Sequence, residues 1–233
     1  MKIRPKMTRR NFMAVAGGSI VSIGLPGMFV KVLNIENQAL AAELRPDGRS
    51  RIPPGQHAVK ILPDMGGTQP DTNVPGWRLE INGEVENPLT LSFSDLMGLK
   101  QITQVCDVHC VTRWTLLDSR WHGISMKTIM DLVKVKKGAG FVIFEATGGY
   151  TSSIPLHEAH KDNVLLAHGF SDQPLPQAHG APLRVLIPDL YFYKSVKWLQ
   201  RIRFAVEDEP GYYESHGYSN SADPWKEERF DEN

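Results

Sequence analysis

Short apolar or alternating segments, separated by turn residues, make up most of the chain. Residues 77–83 alternate apolar and polar side chains and end in Asn82-Gly83, a hairpin-turn dipeptide, so they predict a strand followed by a second one over 84–91. Residues 141–146 form a largely apolar run typical of a buried strand. Further strands are predicted over 102–111, 164–167, 183–188 and 204–206, whereas 195–202 fits either a strand or a helix.

Helical periodicity is confined to two short segments. Apolar residues of 125–133 fall on one helical face behind Ser125, which is suited to cap the helix, and a shorter helix is predicted to begin at Ser94. Because short strands dominate, the sequence predicts an α+β fold, mixed and strand-rich, in a single compact domain.

The first 41 residues differ from the rest, with six basic residues and one acidic residue in a chain of zero net charge. Arg9-Arg10 and Phe12 precede an apolar stretch at 14–30 and an Ala-x-Ala sequence at 39–41, an order that resembles a twin-arginine signal peptide. The alternative is an uncleaved membrane anchor, which the glycines and proline of the stretch weaken. We therefore predict a signal peptide at 1–41, a Pro/Gly-rich N-terminal arm at 42–76, a main domain at 77–233, and export to the periplasm.

Composition excludes several classes of protein. With 41% hydrophobic and 22% charged residues the chain is globular, and its zero net charge gives no field for binding nucleic acid. Two cysteines rule out a disulfide-rich scaffold and a multi-cysteine iron–sulfur site, and no C-x-x-C-H sequence marks an attached haem.

The densest polar cluster lies between Cys106 and Trp114 and includes His109 and Cys110. Cysteine and histidine are zinc ligands, but two cysteines four apart on a strand would lie about 13 Å apart, too far to share one ion. Two buried structural thiols are the simpler interpretation.

A second cluster contains five hydrogen-bond donors among apolar residues: His179, Arg184, Lys194, Ser195 and Lys197. Cations and hydroxyls on a rigid scaffold are typical of a phosphate site. The alternative is a solvated face of a strand or helix.

The order of these and other motifs resembles the sulfite oxidase family of molybdopterin enzymes, and most closely its small bacterial sulfite oxidase-like oxidoreductases. The resemblance covers nearly all of residues 51–228. The matching segments are 51–56, 77–79, 109–114, 121–124, 149–150, 179–184, 194–198, 217–218 and 223–225.

The resemblance implies a mixed α+β fold around a buried molybdenum–molybdopterin centre, held by the domain at 77–233. Cys110 would be the single protein thiolate on the metal, a soft ligand beside the sulfurs of the pterin. Arg113 would be a cation beside the metal ligand, Lys60 a cation near the metal pocket, and Tyr218 the tyrosine facing the substrate. His109, which adjoins Cys110, is a candidate for orienting or tuning the metal.

The same resemblance assigns the second cluster to the cofactor. His179, Arg184 and Lys197 match pterin-binding positions, and Lys194 and Ser195 would add contacts to its phosphate.

The sequence departs from the family at two points. Sulfite oxidases with added C-terminal dimerisation or N-terminal haem domains draw substrate-pocket arginines from such regions, and this sequence shows neither. Gly217 precedes the pocket tyrosine where an acid is expected. Both departures weaken sulfite as the substrate and weaken dimerisation, so we expect a monomer or a complex with a redox partner.

The sequence therefore predicts an exported molybdopterin oxidoreductase that moves an oxygen atom to or from a small sulfur-oxide or S-oxide substrate. It would exchange electrons with an external partner, a cytochrome or a membrane quinone-linked subunit. The direction, the choice of molybdenum or tungsten, and the plain or dinucleotide cofactor stay open. The alternatives are a non-catalytic exported anion-binding module and, with less support, a zinc hydrolase built on Cys110.

Overall fold

Two β-sheets and three short helices form the structure. The computed structural model describes residues 43–66, 69–71 and 75–231, which belong to one compact unit, Leu40–Asn233; the predicted signal peptide lies outside the described residues. The strands are β1 His57–Val59, β2 Arg78–Gly83, β3 Leu89–Ser92, β4 Ile102–His109, β5 Trp114–Ser125, β6 Phe141–Ala146, β7 Thr151–Pro155, β8 Leu165–Phe170, β9 Gln173–Pro174, β10 Arg184–Leu186 and β11 Leu199–Ala205. The α-helices are α1 Phe93–Met97, α2 Met126–Val133 and α3 Leu156–Ala159.

The first sheet is organised around β5. Strand β4 pairs antiparallel with β5, while β1 pairs parallel with its first residues and β8 antiparallel with its last. Strands β10 and β9 both pair with β8. This pairing places the β4–β5 turn, residues 110–113, at the end of β1.

The second sheet has the order β3-β2-β11-β6-β7. Strand β11 runs parallel to β2, and the other pairs are antiparallel. The described chain also has four 3₁₀ turns, two between β9 and β11 and two after β11, at Gln177–His179, Phe192–Lys194, Glu214–His216 and Pro224–Lys226.

Alternating residues of the strands feed two apolar clusters. Leu166 of β8 packs with α2 and the second sheet in the main core, whereas its neighbours Leu165 and Ala167 pack on the opposite face with Cys110 and Trp114. Helix α2 buries four apolar side chains in the main core, and Ser125 caps it by accepting a hydrogen bond from the backbone N–H of Lys127.

The fold confirms the strand-rich α+β prediction, with three local corrections. The strand predicted over 84–91 begins only at Leu89, and the one over 102–111 ends at His109 because the chain turns at Cys110. In place of the separate elements predicted over 195–202 and 204–206 there is one strand, β11, which begins only at Leu199 and ends at Ala205. None of the helices in the described part of the chain is long and apolar enough to cross a membrane.

Candidate active site

Cys110 lies in a tight turn that joins two strands. Its backbone N–H donates to the carbonyl oxygen of Trp114 (2.8 Å), and its own carbonyl oxygen accepts from the N–H of Arg113 (3.0 Å). The residue is 7% exposed, and its Sγ lies 3.1 Å from Oγ1 of Thr112. Burial raises the pKa of the Cys110 thiol, opposed by hydrogen bonds from Thr112 and by the charge of Arg229. A soft metal cation would supply the positive charge that a buried thiolate needs.

Side chains from both ends of the described chain support this turn. Gln56 Nε2 donates to the carbonyl oxygen of Cys110 (3.0 Å), and Arg229 Nη1 donates to that of Val111 (2.5 Å). Arg229 is 7% exposed, and its guanidinium lies 4.9 Å from the ring centroid of Tyr191. The sequence reasoning missed Arg229, because the segment that carries it has no periodicity or motif of its own.

Two predicted cations near the metal ligand are exposed. Arg113 has a φ of 76°, in the left-handed region that a residue with a Cβ avoids, and its carbonyl oxygen accepts from the N–H of His57 (3.0 Å). Lys60 follows β1 directly, so the two residues lie at opposite ends of that strand. Neither side chain has a hydrogen bond or an ion pair to another described residue, which leaves both charges available to a ligand.

Tyr218 belongs to an aromatic cluster beside the turn. Its ring centroid lies 4.8 Å from that of Tyr213 and 5.5 Å from that of Tyr193. Burial raises the pKa of Tyr213, with further contributions from Tyr218, Tyr212 and Cys110. Tyr213, a residue that the sequence did not single out, packs against Tyr218 and lies within electrostatic range of Cys110.

His109 is fully buried and neutral. Its Nδ1 lies 3.0 Å from Oγ1 of Thr115, its ring meets that of Trp225 edge-on at 5.0 Å, and burial lowers its pKa to about 3. Its Nε2 has no hydrogen-bond partner among the described residues. His109 is thus held in one orientation directly before the candidate metal ligand.

Four of the predicted cofactor-binding residues come together. Arg184 donates from Nη1 to the carbonyl oxygen of His179 (2.9 Å) and from Nη2 to that of Ser195 (2.8 Å). Lys197 donates from Nζ to the carbonyl oxygens of Ala178 (2.9 Å) and Met65 (2.6 Å). We call His179, Arg184, Ser195 and Lys197 the basic cluster.

Gly180 allows this close packing. Its φ is 112°, and a Cβ there would lie 3.0 Å from the Cα of Lys197 and 3.1 Å from the Cβ of Arg184. The Ser195 hydroxyl accepts from the backbone N–H of Ile187 (2.9 Å), which fixes the chain between Arg184 and Lys197.

The basic cluster carries positive charge without a paired carboxylate. In the described part of the chain no ion pair joins Arg184, Lys197 or His179 to an acid; Asp64 acts on the last two only at longer range. Burial lowers the pKa of Arg184 to about 9 and that of Lys197 to about 8, and it also lowers the pKa of His179. Arg184 is buried and Lys197 half-buried, and cations held by carbonyl oxygens in this way suit an anionic ligand such as a phosphate.

Lys194 is a correction to the predicted cluster. Its Nζ donates to Glu214 Oε1 (2.5 Å), to the carbonyl oxygen of Ser153 (2.9 Å) and to Asn220 Oδ1 (3.1 Å). An ammonium has three protons, so none is left for a phosphate. Lys194 and Lys197 are three residues apart, but their ammonium groups bind different parts of the protein.

Aromatic side chains connect Cys110 to the basic cluster. Phe192 lies 6.0 Å from Trp114 between ring centroids, and the guanidinium carbon of Arg184 lies 4.2 Å over the Phe192 ring. Cys110, Trp114 and Phe192 pack in the same apolar cluster. A single soft ligand and an unpaired basic cluster on one face fit a metal that arrives bound to a phosphorylated organic group.

The same geometry gives the zinc alternative no support. Within residues 43–66, 69–71 and 75–231 no group of three or more His, Cys, Asp or Glu side chains is arranged to hold a metal ion. Protein zinc sites take at least three such ligands.

Comparison with known proteins identifies the group. A family model described as the oxidoreductase molybdopterin binding domain matches residues 66–213. The chain is 38% identical over 186 residues to the uncharacterized oxidoreductase YuiH of Bacillus subtilis, which covers 79% of this chain and 94% of YuiH. It is 24% identical over 231 residues to the protein-methionine-sulfoxide reductase catalytic subunit MsrP of Campylobacter jejuni, which covers 91% of this chain and 77% of MsrP.

A solved structure shows the same fold. The sulfane dehydrogenase SoxCD from Paracoccus pantotrophus superposes with a TM-score of 0.57 at 19% identity, covering 82% of this chain and 57% of that one. The present chain thus spans little more than half of the SoxCD chain. The family model and YuiH confirm the predicted resemblance, fold and molybdenum–molybdopterin cofactor. The chain belongs to the sulfite oxidase family of oxidoreductases with a molybdopterin-binding domain.

Proposed function

We propose that this chain is an exported molybdopterin oxidoreductase that exchanges an oxygen atom with the sulfur of a small S-oxide substrate. The observation that carries the proposal is a buried thiol, Cys110, on the same apolar face as a basic cluster without paired carboxylates. Family membership, which implies an enzyme, sets aside the non-catalytic binding module.

Cys110 would hold the metal, and the turn would hold Cys110. Hydrogen bonds from Gln56 and Arg229 to the carbonyl oxygens of residues 110 and 111 limit the movement of the thiol. The bound molybdenum–molybdopterin would supply the two-electron redox change, and the protein would supply binding, orientation and charge.

The basic cluster would bind the phosphate end of the cofactor. Arg184 and Lys197 donate hydrogen bonds to backbone carbonyl oxygens, which are dipoles and carry no net charge. A phosphate would add the negative charge that balances the two cations. Ser195 and His179 would contribute hydrogen bonds at the edge of the cluster. Because Arg184 packs on Phe192 and Phe192 on Trp114, this end of the cofactor would be fixed relative to Cys110.

Three side chains are assigned to the substrate. Arg113 and Lys60 are exposed and free of ion pairs with described residues, so they would orient a polar S=O group at the entrance. The Tyr218 hydroxyl would donate a hydrogen bond to the oxygen that is transferred.

The direction that we favour is reduction of a sulfoxide. In that direction the substrate takes up two electrons and two protons, its S–O bond breaks, and the oxygen leaves as water. Beside Tyr218 the surface is apolar, with Phe230 60% exposed at 5.1 Å between ring centroids and Tyr212 50% exposed next to Tyr213. Such a rim suits a neutral sulfoxide with apolar substituents on sulfur, as in methionine sulfoxide, and the similarity to MsrP points the same way.

Export and the redox partner complete the proposal. The arginine pair, apolar stretch and Ala-x-Ala sequence of residues 1–41 support transport of the folded, loaded protein. The two electrons would come from a cytochrome or a membrane quinone-linked subunit, in keeping with the name of MsrP as a catalytic subunit.

Metal analysis tests the proposal, because the two cysteines form a matched pair. We expect stoichiometric molybdenum and a pterin in protein made in a molybdenum-replete host. Cys110→Ala should lose the metal, whereas Cys106→Ala should retain it. The Sγ of Cys106 instead contacts the Oγ of Ser119, its partner in the β4–β5 register, at 4.0 Å. Equal loss in both variants, or zinc in place of molybdenum, would refute the role of Cys110.

A paired assay tests the direction. Loaded protein should oxidise reduced viologen when methionine sulfoxide is added, and it should reduce ferricyanide with sulfite much more slowly. The reverse ranking would assign the site to oxidation of a sulfur oxyanion instead.

A further inference from the structure

Lys194 and Glu214 form an ion pair that is closed off from solvent. Lys194 Nζ lies 2.5 Å from Glu214 Oε1, and the two side chains are 0% and 1% exposed. Ser152 Oγ donates to the same carboxylate oxygen (2.6 Å), while Glu214 Oε2 has no partner among the described residues. An apolar pair would fill this space at lower desolvation cost, so the pair is not explained by stability alone.

Each partner belongs to a different part of the active site. Lys194 ends the 3₁₀ turn Phe192–Lys194, whose first residue packs under Arg184 of the basic cluster. Glu214 begins the turn Glu214–His216, between Tyr213 and Tyr218. The ion pair therefore ties the cofactor side of the site to its substrate side.

The segment 211–220, which we call the tyrosine loop, is bonded to the rest of the described chain near both of its ends. At its start Tyr212 N–H donates to the carbonyl oxygen of Thr151 (3.0 Å), and Gly211 packs directly on the backbone of residues 151–152. Near its end the Tyr193 hydroxyl donates to the carbonyl oxygen of Ser219 (2.5 Å). The C-terminal segment adds two bonds, from the N–H of Ser219 to the carbonyl oxygen of Arg229 (3.2 Å) and from the N–H of Asp231 to that of Gly217 (3.1 Å). In the middle of the loop, Glu214 is anchored to the ammonium of Lys194, which also binds Asn220 at the end of the loop.

We propose that Lys194 and Glu214 are positioning residues that set the tyrosine loop, and with it Tyr213 and Tyr218, against Cys110. The inference rests on the proposed function in that Tyr218 faces the substrate. A directional bond fixes both the orientation of the loop and its distance from Lys194, whereas apolar packing fixes the distance alone. The orientation matters because displacement of a substrate-binding group by about 1 Å costs up to about 100-fold in rate.

The test compares the double variant Lys194→Met/Glu214→Met with the single variants Lys194→Met, Glu214→Met and Glu214→Gln, and with a surface control. Lys194→Met/Glu214→Met replaces the charges by side chains of similar length, so the chain should fold and bind molybdenum like the unaltered protein. Its kcat for sulfoxide should fall between about 10- and 100-fold with little change in molybdenum content. Glu214→Gln keeps an oxygen acceptor for Lys194 and should retain most of the activity. Lys127→Met, which removes a surface ion pair with Asp162, is the matched control and should change nothing.

Hydrogen exchange of the cofactor-free protein supplies a readout independent of turnover. Amides of 211–220 should exchange faster in the double variant, while those of β6 and β11 should not. Unchanged exchange and unchanged kcat would overturn the positioning role and leave the proposed function intact. Loss of molybdenum in Lys194→Met but not in Glu214→Met would instead make Lys194 a cofactor contact. Absence of sulfoxide turnover in the unaltered protein would refute the proposed function, and exchange would still decide the positioning role.

Discussion

Arg229 donates a hydrogen bond to the carbonyl oxygen of Val111 at 2.5 Å, across 118 residues of sequence. The bond joins the last part of the described chain to the turn that carries Cys110, and it brings a buried cation to the candidate metal ligand. A buried guanidinium that the sequence analysis did not single out thus lies at the turn that carries Cys110.

Replacement of Arg229 should loosen the turn. In Arg229→Met the carbonyl oxygen of Val111 loses its partner, and leaving such a group unsatisfied costs about 1–3 kcal/mol. We expect the free energy of unfolding of the cofactor-free protein to fall by this amount in chemical denaturation, together with lower molybdenum content after expression.

Arg203→Met is the control for this change. Arg203 pairs with Glu145 and Glu209 at the surface, where an ion pair contributes about 0–1 kcal/mol. Full molybdenum loading of Arg229→Met, or an equal effect of both variants, would contradict the role of Arg229 at the turn.

Gly180→Ala should disrupt the basic cluster. The substitution places a Cβ 3.0 Å from the backbone of Lys197 at a φ of 112°. We expect a loss of molybdenum loading and a destabilisation larger than the about 1–3 kcal/mol that a left-handed backbone position costs by itself. Metal analysis and thermal unfolding measure the two effects.

Gly148→Ala separates strain from packing. Gly148 has a φ of 92°, but a Cβ there meets nothing within 4 Å. Gly148→Ala should therefore be destabilised by its left-handed backbone conformation alone and should contain the normal amount of molybdenum. Equal loading defects at both positions would mean that the packing of Gly180 against Lys197 does not matter for the cofactor.

Local signals in the sequence predicted the parts of the fold that depend on neighbouring residues. Helix α2 follows from its apolar period and from Ser125, and β6 follows from its apolar run. The four members of the basic cluster were predicted to lie together, because they are close in sequence on either side of a short stretch that follows Gly180, but Lys194 was added to them wrongly.

The missing parts depend on contacts between distant segments. Nothing in residues 211–231 indicated that Tyr213 and Arg229 would reach Cys110, since both arrive through folding of an aperiodic segment. Lys194 was assigned to a phosphate because its partner, Glu214, lies 20 residues away and is not visible as a partner in the sequence.

Export should depend on the arginine pair near the N-terminus. Replacement of Arg9 and Arg10 by lysine preserves the charge but removes the residues that a twin-arginine signal requires. We expect the variant to accumulate in the cytoplasm at its full length, whereas the unaltered protein should appear in the periplasm, shortened by about 41 residues. Normal export of the double variant, measured by cell fractionation, would contradict the signal assignment.

Anion binding by the cofactor-free protein should weaken as the pH rises through about 8. Burial lowers the pKa of Lys197 from 10.5 to about 8, so its ammonium is lost from the folded chain well before it is lost from the unfolded chain. Sulfate is a suitable probe because its charge is constant in this range, and its affinity should fall several-fold between pH 7 and 8.5. Isothermal calorimetry measures the change.

Lys197→Met should bind sulfate weakly and with a smaller pH dependence over the same range, because the pKa of Arg184, about 9, lies above that range. The free energy of unfolding should change with pH in the opposite direction from the affinity for sulfate. Below about pH 8 the folded chain bears the cost of a buried ammonium, and between about 8 and 10.5 this cost disappears as the folded state releases a proton that the unfolded state keeps. The stability of the unaltered protein relative to Lys197→Met should therefore rise across that interval in denaturant titrations at constant ionic strength. A flat difference would show that Lys197 titrates as an exposed lysine, outside a desolvated anion site.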